Sequence, residues 1–86
     1  MGSYKIEWKQ SARRELRNLD RAVIPRILAA VEALANDPYP KGSKKLVGSE
    51  HIYRIRIGDY RVVYSIRAGL LIIEVIRIGH RSDVYR

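Results

Sequence analysis

The sequence contains no cysteine and little histidine, and each shortage excludes a class of chemistry. Without cysteine the chain can form no disulfide bond and can offer no thiolate to a metal or a substrate. Its two histidines, His51 and His80, and its carboxylates are not spaced as metal ligands usually are. A glycine-rich phosphate-binding loop is also missing. We therefore expect no metal and no cofactor.

Long apolar runs are missing as well. No stretch approaches the ~20 apolar residues that a membrane-spanning helix needs, and the N-terminus is short and polar, without a visible signal peptide. Hydrophobic residues make up 47% of the 86 residues, a share typical of a globular chain of one domain. Internal repeats and low-complexity segments are absent. We expect a single domain over residues 1–86, in the cytoplasm.

Acidic residues are too few to balance the basic ones. The chain has 17 lysines and arginines against 9 aspartates and glutamates, which gives a net charge of +8. Such an excess predicts a polyanionic partner, whether nucleic acid, an anionic membrane surface or an acidic protein. Every basic residue after Lys45 is an arginine. An arginine-rich codon preference can explain that choice of residue, but it does not explain why the charges lie in predicted strands.

The first half of the chain predicts a strand and two helices. Apolar residues alternate with charged ones from Tyr4 to Lys9, as in a strand with one apolar face. Ser11 is a suitable N-cap for a helix that runs to about Leu19, and Asp20 for a second helix that ends near residue 36. The two helices are expected to form an antiparallel hairpin whose apolar stripes pack on a sheet.

The second half predicts three antiparallel strands. A polar connector over residues 39–50 precedes them, and within it residues 44–46 can begin a short strand. The strands cover about 51–57, 60–67 and 70–78. The last one is nearly continuously apolar, which is typical of a strand that is central in the sheet or covered on both faces. Its register stays open, because turns of two or three residues place Glu74 and Arg77 on opposite choices of face.

These elements predict an α+β fold with the order β-α-α-β-β-β. The N-terminal strand and a three-stranded antiparallel meander would form a four-stranded sheet. The helix hairpin would pack on one face of that sheet.

The segment YRIRIGDYRVVY is the most informative part of the chain. Its alternation indicates a β-hairpin with Gly58-Asp59 as a two-residue turn. The turn pairs Arg56 with Arg61 and so gathers three guanidinium groups on one face, those of Arg54, Arg56 and Arg61. Like charges that face each other destabilise a sheet, so this arrangement indicates an anion, and phosphate suits planar forked donors best. The alternative is the solvated face of a half-exposed sheet.

This hairpin and the terminal segment IRIGHRSDVYR together resemble the RelE/ParE superfamily of toxins from toxin–antitoxin operons. The family pattern is a basic strand, Gly-Asp/Asn-Tyr-Arg and two hydrophobic residues before Tyr, then hydrophobic-Gly-x-Arg-x-x-hydrophobic-Tyr. Both parts occur here in order and at the expected separation. The helix SARRELRNL is similar to the first helix of the family. The resemblance covers the whole chain.

The resemblance implies a ribosome-dependent endoribonuclease, an mRNA interferase that cleaves the codon in the A site without a metal. In such enzymes the 2′-hydroxyl attacks the adjacent phosphate. Arg61 then matches the arginine at the scissile phosphate, Arg81 the arginine that stabilises the phosphate and protonates the leaving group, and Tyr85 the tyrosine that stacks on a base. The basic strand positions and nearby residues implied in catalysis or nucleic-acid binding are Arg54, Arg56, Lys44, Lys45 and His80.

The chain departs from the family pattern at the two basic strand positions, which are usually lysine. Arginine is a poor general base because its pKa exceeds 12. The base function could pass to Tyr85 or to His80, or charge stabilisation and alignment by the ribosome could suffice.

Two alternatives stay open beside the RelE-type activity. One is the ParE branch, which inhibits DNA gyrase and needs no nuclease residues; Arg61, Arg81 and Tyr85 favour RelE. The other is a non-catalytic RNA-binding or interaction module. A toxin also implies a cognate antitoxin, expected to be acidic, partly disordered and able to wrap this basic domain.

Overall fold

A computed structural model describes residues 3–80, and Arg81 and Tyr85 lie outside that range. Within it, no helix is long and apolar enough to cross a bilayer. A 3₁₀ turn, Ala68–Leu70, precedes the last strand. The strands and helices are β1 (Lys5–Trp8), α1 (Gln10–Arg17), α2 (Ile24–Ala33), β2 (Lys44–Lys45), β3 (Ile52–Ile57), β4 (Tyr60–Arg67) and β5 (Ile72–His80).

The α+β fold predicted from the sequence is confirmed, with one correction to the sheet. The sheet has five strands, in the order β1-β5-β4-β3-β2, and not four. The fifth is β2, where Lys44 and Lys45 pair with β3 at the edge. Strands β2 to β5 are antiparallel neighbours, whereas β1 runs parallel to β5, which makes the sheet mixed. The central position predicted for the last strand is also confirmed, because β5 lies between β1 and β4.

The register of the β3–β4 hairpin is the predicted one. Arg56 lies opposite Arg61, and the flanking pairs follow in step from Ile57↔Tyr60 to Tyr53↔Tyr64. Gly58 has a φ of 60°, a left-handed conformation that glycine adopts without steric cost. The glycine therefore permits the tight turn that sets the register of every arginine on the hairpin.

The ends of the helices differ from the predictions. The N-cap of α1 is Lys9 and not Ser11, because the Lys9 N–H bonds to the Val75 carbonyl at 2.9 Å and starts the helix against β5. Asp20 accepts a hydrogen bond from the Ala22 N–H at 3.1 Å, but this bond closes a turn, and α2 begins only at Ile24. Proline in the first turn of α2 fits the usual preference.

A bulge in β5 settles the face that the sequence left open. The pairing steps from Val63↔Arg77 to Tyr64↔Val75, so Ile76 is the additional residue. Glu74 in turn lies opposite Ser65. The bulge therefore brings Arg77 to the sheet face that carries the hairpin arginines.

The helices cover the other face and enclose the core. Tyr64 is fully buried there, and its hydroxyl donates a hydrogen bond to the Pro38 carbonyl at 2.8 Å. Burial raises the pKa of Tyr64 to about 12. The core contains Ala12, Ile27, Val31, Leu34, Ile55, Val62, Tyr64, Ile66, Ile73, Val75 and Ile78.

Helix α1 also closes the part of β5 that extends beyond β1. The Glu15 carboxylate accepts a hydrogen bond from the Ile78 N–H at 2.9 Å and lies 3.7 Å from the Arg77 Nε. An edge N–H that would otherwise be open to another strand is thus occupied by a side chain. The contact ties the end of β5 to α1.

Candidate nucleic-acid interface

Arginines form two adjacent rows on the sheet face opposite the helices, called the open face below. In one row Arg56 lies opposite Arg61. In the other, Val63 lies between Arg54 on one side and Arg77 on the other. Strand β2 extends the second row, because Lys44 lies opposite Arg54. The open face therefore gathers the three arginines predicted from the hairpin. Arg77, whose face the sequence did not determine, lies beside them at the edge of the sheet, with its Nε 3.7 Å from the Glu15 carboxylate.

Val63 shows that the open face is more than a set of solvated side chains. It is only 6% exposed, yet it does not belong to the core that the helices cover. Its cross-strand neighbours are Arg54 and Arg77, and the aliphatic stems of arginines can cover apolar surface while their guanidinium groups stay in water. Arg54 and Arg61 are accordingly half-buried. Arginines whose stems lie over an apolar residue form a more restricted surface than freely moving side chains.

A cavity of about 310 Å³ adjoins this face at the β2–β3 edge. Four of its lining residues are basic, and none is acidic. Lys41 is among them and was missed by the sequence analysis, although a lysine just before a short basic strand was a visible signal. The lining residues are Lys41, Gly42, Lys44, Arg54, Ile55 and Arg56.

The charge on the open face changes sign along the strands. Beyond the row of Val63, Ser65 lies opposite Glu74, and Glu74 lies opposite Glu7 of β1. The next row is basic again, because Lys5 and Arg67 both lie opposite Ile72. The two carboxylates repel an anion from the middle of the face, and the larger group of guanidinium groups lies at the other end. A phosphate chain should therefore bind at the end that carries Arg56 and Arg61.

Two of the predicted site residues are not brought to the open face. Lys45 lies opposite Tyr53, a position on the helix-covered side of the hairpin. His80 lies opposite Tyr60, and the two rings meet edge to face with centroids 5.8 Å apart. The proposed roles of both residues in nucleic-acid binding stay predictions, as do the roles of Arg81 and Tyr85.

The chemistry available to the open face follows from its donors. Guanidinium groups bind phosphate oxygens with two parallel hydrogen bonds and stabilise developing negative charge. They cannot remove a proton, because arginine stays charged in proteins. Among residues 3–80, no group of three or more histidines and carboxylates is placed to hold a metal ion. The described part of the face is suited to bind and polarise a phosphate, and a base must come from elsewhere.

The chain is similar to known toxins over nearly its whole length. Residues 6–85 match the family model described as the ParE toxin of the type II toxin–antitoxin system parDE. Two toxins of Mycobacterium tuberculosis, RelG and RelE, are each 33% identical, over 91 and 84 residues. The alignments cover 96% of this chain in both cases, and 97% and 87% of the relatives.

Solved structures agree with the sequence relatives. The archaeal RelE–RelB complex from Pyrococcus horikoshii contains a chain that is 28% identical to this one, with a TM-score of 0.82. The superposition covers 95% of this chain and 99% of the archaeal chain. The RelBE2 toxin–antitoxin complex of M. tuberculosis gives 30% identity and a TM-score of 0.71, with 92% and 99% covered. The isolated Escherichia coli RelE toxin gives 26% identity and a TM-score of 0.81, with 96% and 92% covered.

Proposed function

Because the chain belongs to the RelE/ParE superfamily of toxins from type II toxin–antitoxin systems, we propose that it is a ribosome-dependent mRNA endoribonuclease. One observation carries the proposal above the others. Arg61 lies directly opposite Arg56, beside the row of Arg54 and Arg77, on a face that no helix needs for packing. The pairing costs stability and supplies what a phosphate in the transition state requires.

In the proposed reaction the 2′-hydroxyl oxygen of the A-site codon attacks the adjacent phosphorus. The new O–P bond forms as the bond to the 5′-oxygen breaks, which leaves a 2′,3′-cyclic phosphate and a free 5′-hydroxyl. Arg61 binds the phosphate oxygens, and Arg54 and Arg56 hold the neighbouring backbone. Arg81 stabilises the phosphate and passes a proton to the leaving oxygen, and water at once returns a proton to the guanidine, so that the group is charged again. The guanidinium groups provide the positive charge, so the reaction is proposed to need no metal.

The proton of the 2′-hydroxyl requires an acceptor other than these arginines. The position of His80 against Tyr60 supports Tyr85 over His80 in this role, because Tyr60 pairs with Ile57 and not with the arginine rows. Tyr85 would accept the proton as its phenolate. Alignment of the reacting atoms by the ribosome would lower the demand on any base.

A second candidate function is inhibition of DNA gyrase, the activity of the ParE branch of the superfamily. The match to a ParE family model supports it. The RelE toxins that align over nearly the full length support the ribonuclease instead. In the gyrase alternative the open face would bind protein or DNA and would cleave nothing.

We also propose a cognate antitoxin in the same compartment, the cytoplasm. The RelE chains of the archaeal and mycobacterial structures are bound to their antitoxins. In this chain the exposed side chains of Tyr39, Leu70 and Leu71 offer apolar anchors, and the net charge of +8 favours an acidic partner.

Controlled expression in growing bacteria separates the two candidate activities. Transcript ends would be mapped against ribosome position, and gyrase-linked DNA breaks would be assayed in the same cultures. We expect cuts within A-site codons and an early stop of translation, without DNA breaks. Inhibition of purified gyrase supercoiling with intact transcripts would replace the ribonuclease by the ParE-type activity.

A further inference from the structure

Helix α1 carries a second basic surface, separate from the open face. Its outward side consists of Lys9, Gln10, Arg13, Arg14 and Arg17, called the α1 stripe below, and all five residues are exposed. The opposite side of the helix packs into the core through Ala12 and Leu16. The stripe therefore points away from the sheet, whereas the arginines of the open face lie on the sheet side that the helices leave bare.

The charges of the α1 stripe repel one another along the helix. Lys9, Arg13 and Arg17 follow one another at intervals of four residues, where like charges repel. Arg14 and Arg17 lie in the last turn, where cations favour the helix dipole, whereas Lys9 precedes the first turn, where they oppose it. Within the part of the chain that the structure describes, no ion pair joins the stripe to a carboxylate. Four cations that repel one another on one side of an eight-residue helix indicate an external anion.

The surroundings of the stripe favour nucleic acid over protein as that anion. A cavity of about 360 Å³ is lined by Trp8, Gln10, Arg13 and Arg17, which offer an amide and two guanidinium forks. The stripe itself holds no apolar side chain, although the centre of a protein interface is normally apolar. The large exposed apolar residues of the described chain, Tyr39, Val47, Leu70 and Leu71, lie in other segments. A polar, strongly basic surface is typical of contacts with nucleic acid.

The stripe is better suited to a double helix than to a single strand. Single-strand sites use exposed aromatic rings on which bases stack. The one aromatic residue beside the stripe, Trp8, is half-buried and packs against the core. Cations that recur every four residues along a helix instead suit the regularly repeating phosphates of a duplex, and double-stranded RNA is bound mainly through backbone and shape.

We infer that the α1 stripe binds the phosphate backbone of double-helical RNA, independently of the single strand on the open face. The inference rests on the proposed function only in taking RNA as the nucleic acid. The protein would then hold two RNA segments at once, a folded one on α1 and the substrate strand on the sheet.

Binding measurements with two matched double variants test this inference. Arg13→Gln/Arg17→Gln removes two charges from the stripe, and Arg21→Gln/Arg26→Gln removes two exposed charges that lie on neither the stripe nor the open face. Both are made in an Arg61→Ala background, so that RNA stays intact, and both are titrated with a blunt RNA duplex and with one of its strands. Glutamine forms helices well, and the repulsion that the stripe variant loses offsets the favourable dipole interaction of Arg17, so it should melt close to its parent.

We expect the stripe variant to bind the duplex at least about tenfold more weakly and to flatten its log-log salt slope by about two. Its single-strand affinity should match that of the control variant. Equal duplex loss in both variants, or no loss in either, would overturn the inference. So would equal loss of duplex and single strand, or a loss confined to antitoxin binding. Failure of the proposed function would appear separately, as an absence of cleavage by the unmodified protein.

Discussion

The two faces of strands β3 and β4 are made from alternating residues of one hairpin, yet one face is apolar and buried and the other is basic and open. On the helix-covered face, Ile55 and Val62 are buried against the core. On the open face, Arg56 lies opposite Arg61 at a cost in stability. The covered face favours folding, whereas the open face keeps a repulsion that folding alone does not explain. Substitutions on the two faces should therefore separate stability from activity.

The largest effect is expected for Ile73→Ala, on the covered face of β5. Ile73 is fully buried, and removal of its side chain from a packed core should lower the free energy of unfolding by about 2–5 kcal/mol. Denaturant titration measures this loss. Leu70→Ala is the control, because Leu70 is 64% exposed and should change stability by less than about 0.5 kcal/mol. Cleavage per folded molecule should stay unchanged in both. A loss of cleavage per folded molecule in Ile73→Ala would contradict the separation of stability from activity between the two faces.

On the open face, Arg61→Ala should lower RNA cleavage by at least about 10²-fold, because it removes the group at the reacting phosphate. The same loss is expected for Arg81→Ala. Stability should be unchanged or slightly higher in Arg61→Ala, since its repulsion with Arg56 disappears. Single-turnover cleavage on programmed ribosomes gives the rate.

Arg67→Ala is the matched control for Arg61→Ala. It removes the same charge from the same strand at an exposed position opposite Ile72, and its cleavage should resemble that of the unmodified protein. Normal cleavage by folded Arg61→Ala and Arg81→Ala would refute the assigned site.

Tyr85 tests whether the open face gains an aromatic group from the terminal segment. Stacking on a base is worth about 1–3 kcal/mol, so Tyr85→Ala should weaken activity about 5- to 150-fold. Tyr85→Phe keeps the ring, and it should be nearly silent if the residue only stacks. A loss of about 10²-fold in Tyr85→Phe would identify the hydroxyl as the base. If both variants melt the domain without changing cleavage per folded molecule, Tyr85 belongs to the core.

The hairpin was predictable because two local signals agree in it. Strict alternation fixes which residues share a face, and Gly58 fixes the turn, so the convergence of Arg54, Arg56 and Arg61 followed from sequence. Arg77 did not follow, because the bulge at Ile76 breaks the alternation and only pairing with β4 reveals it. The edge strand β2 was equally uncertain, since two residues carry no periodicity.

Contacts between distant segments were beyond the reach of local patterns. Glu15 looked like one more charge on an amphipathic helix, yet it binds the Ile78 N–H across 63 positions of the chain. Lys9 is likewise held at the start of α1 because its N–H donates to the Val75 carbonyl, which no rule about N-cap side chains would indicate. The open face could therefore be read from the hairpin, whereas the support that α1 gives to β5 could not.

The smallest expected effect returns to the covered face and uses pH to examine it. Burial raises the pKa of Tyr64 to about 12, whereas an unfolded tyrosine titrates near 10. The folded state thus favours the neutral phenol, which adds to the free energy of unfolding. The added stability is complete below pH 10 and is lost as pH rises toward 12. At pH 11 the loss should reach about 1.4 kcal/mol.

Tyr64→Phe lacks this titration but also lacks the 2.8 Å hydrogen bond to Pro38, worth about 1 kcal/mol. Denaturant titrations of both proteins should show the natural chain more stable at pH 8 and the variant equal or more stable near pH 11, with lysine titration common to both. A constant difference across this range would mean that the Tyr64 hydroxyl is not held neutral by burial.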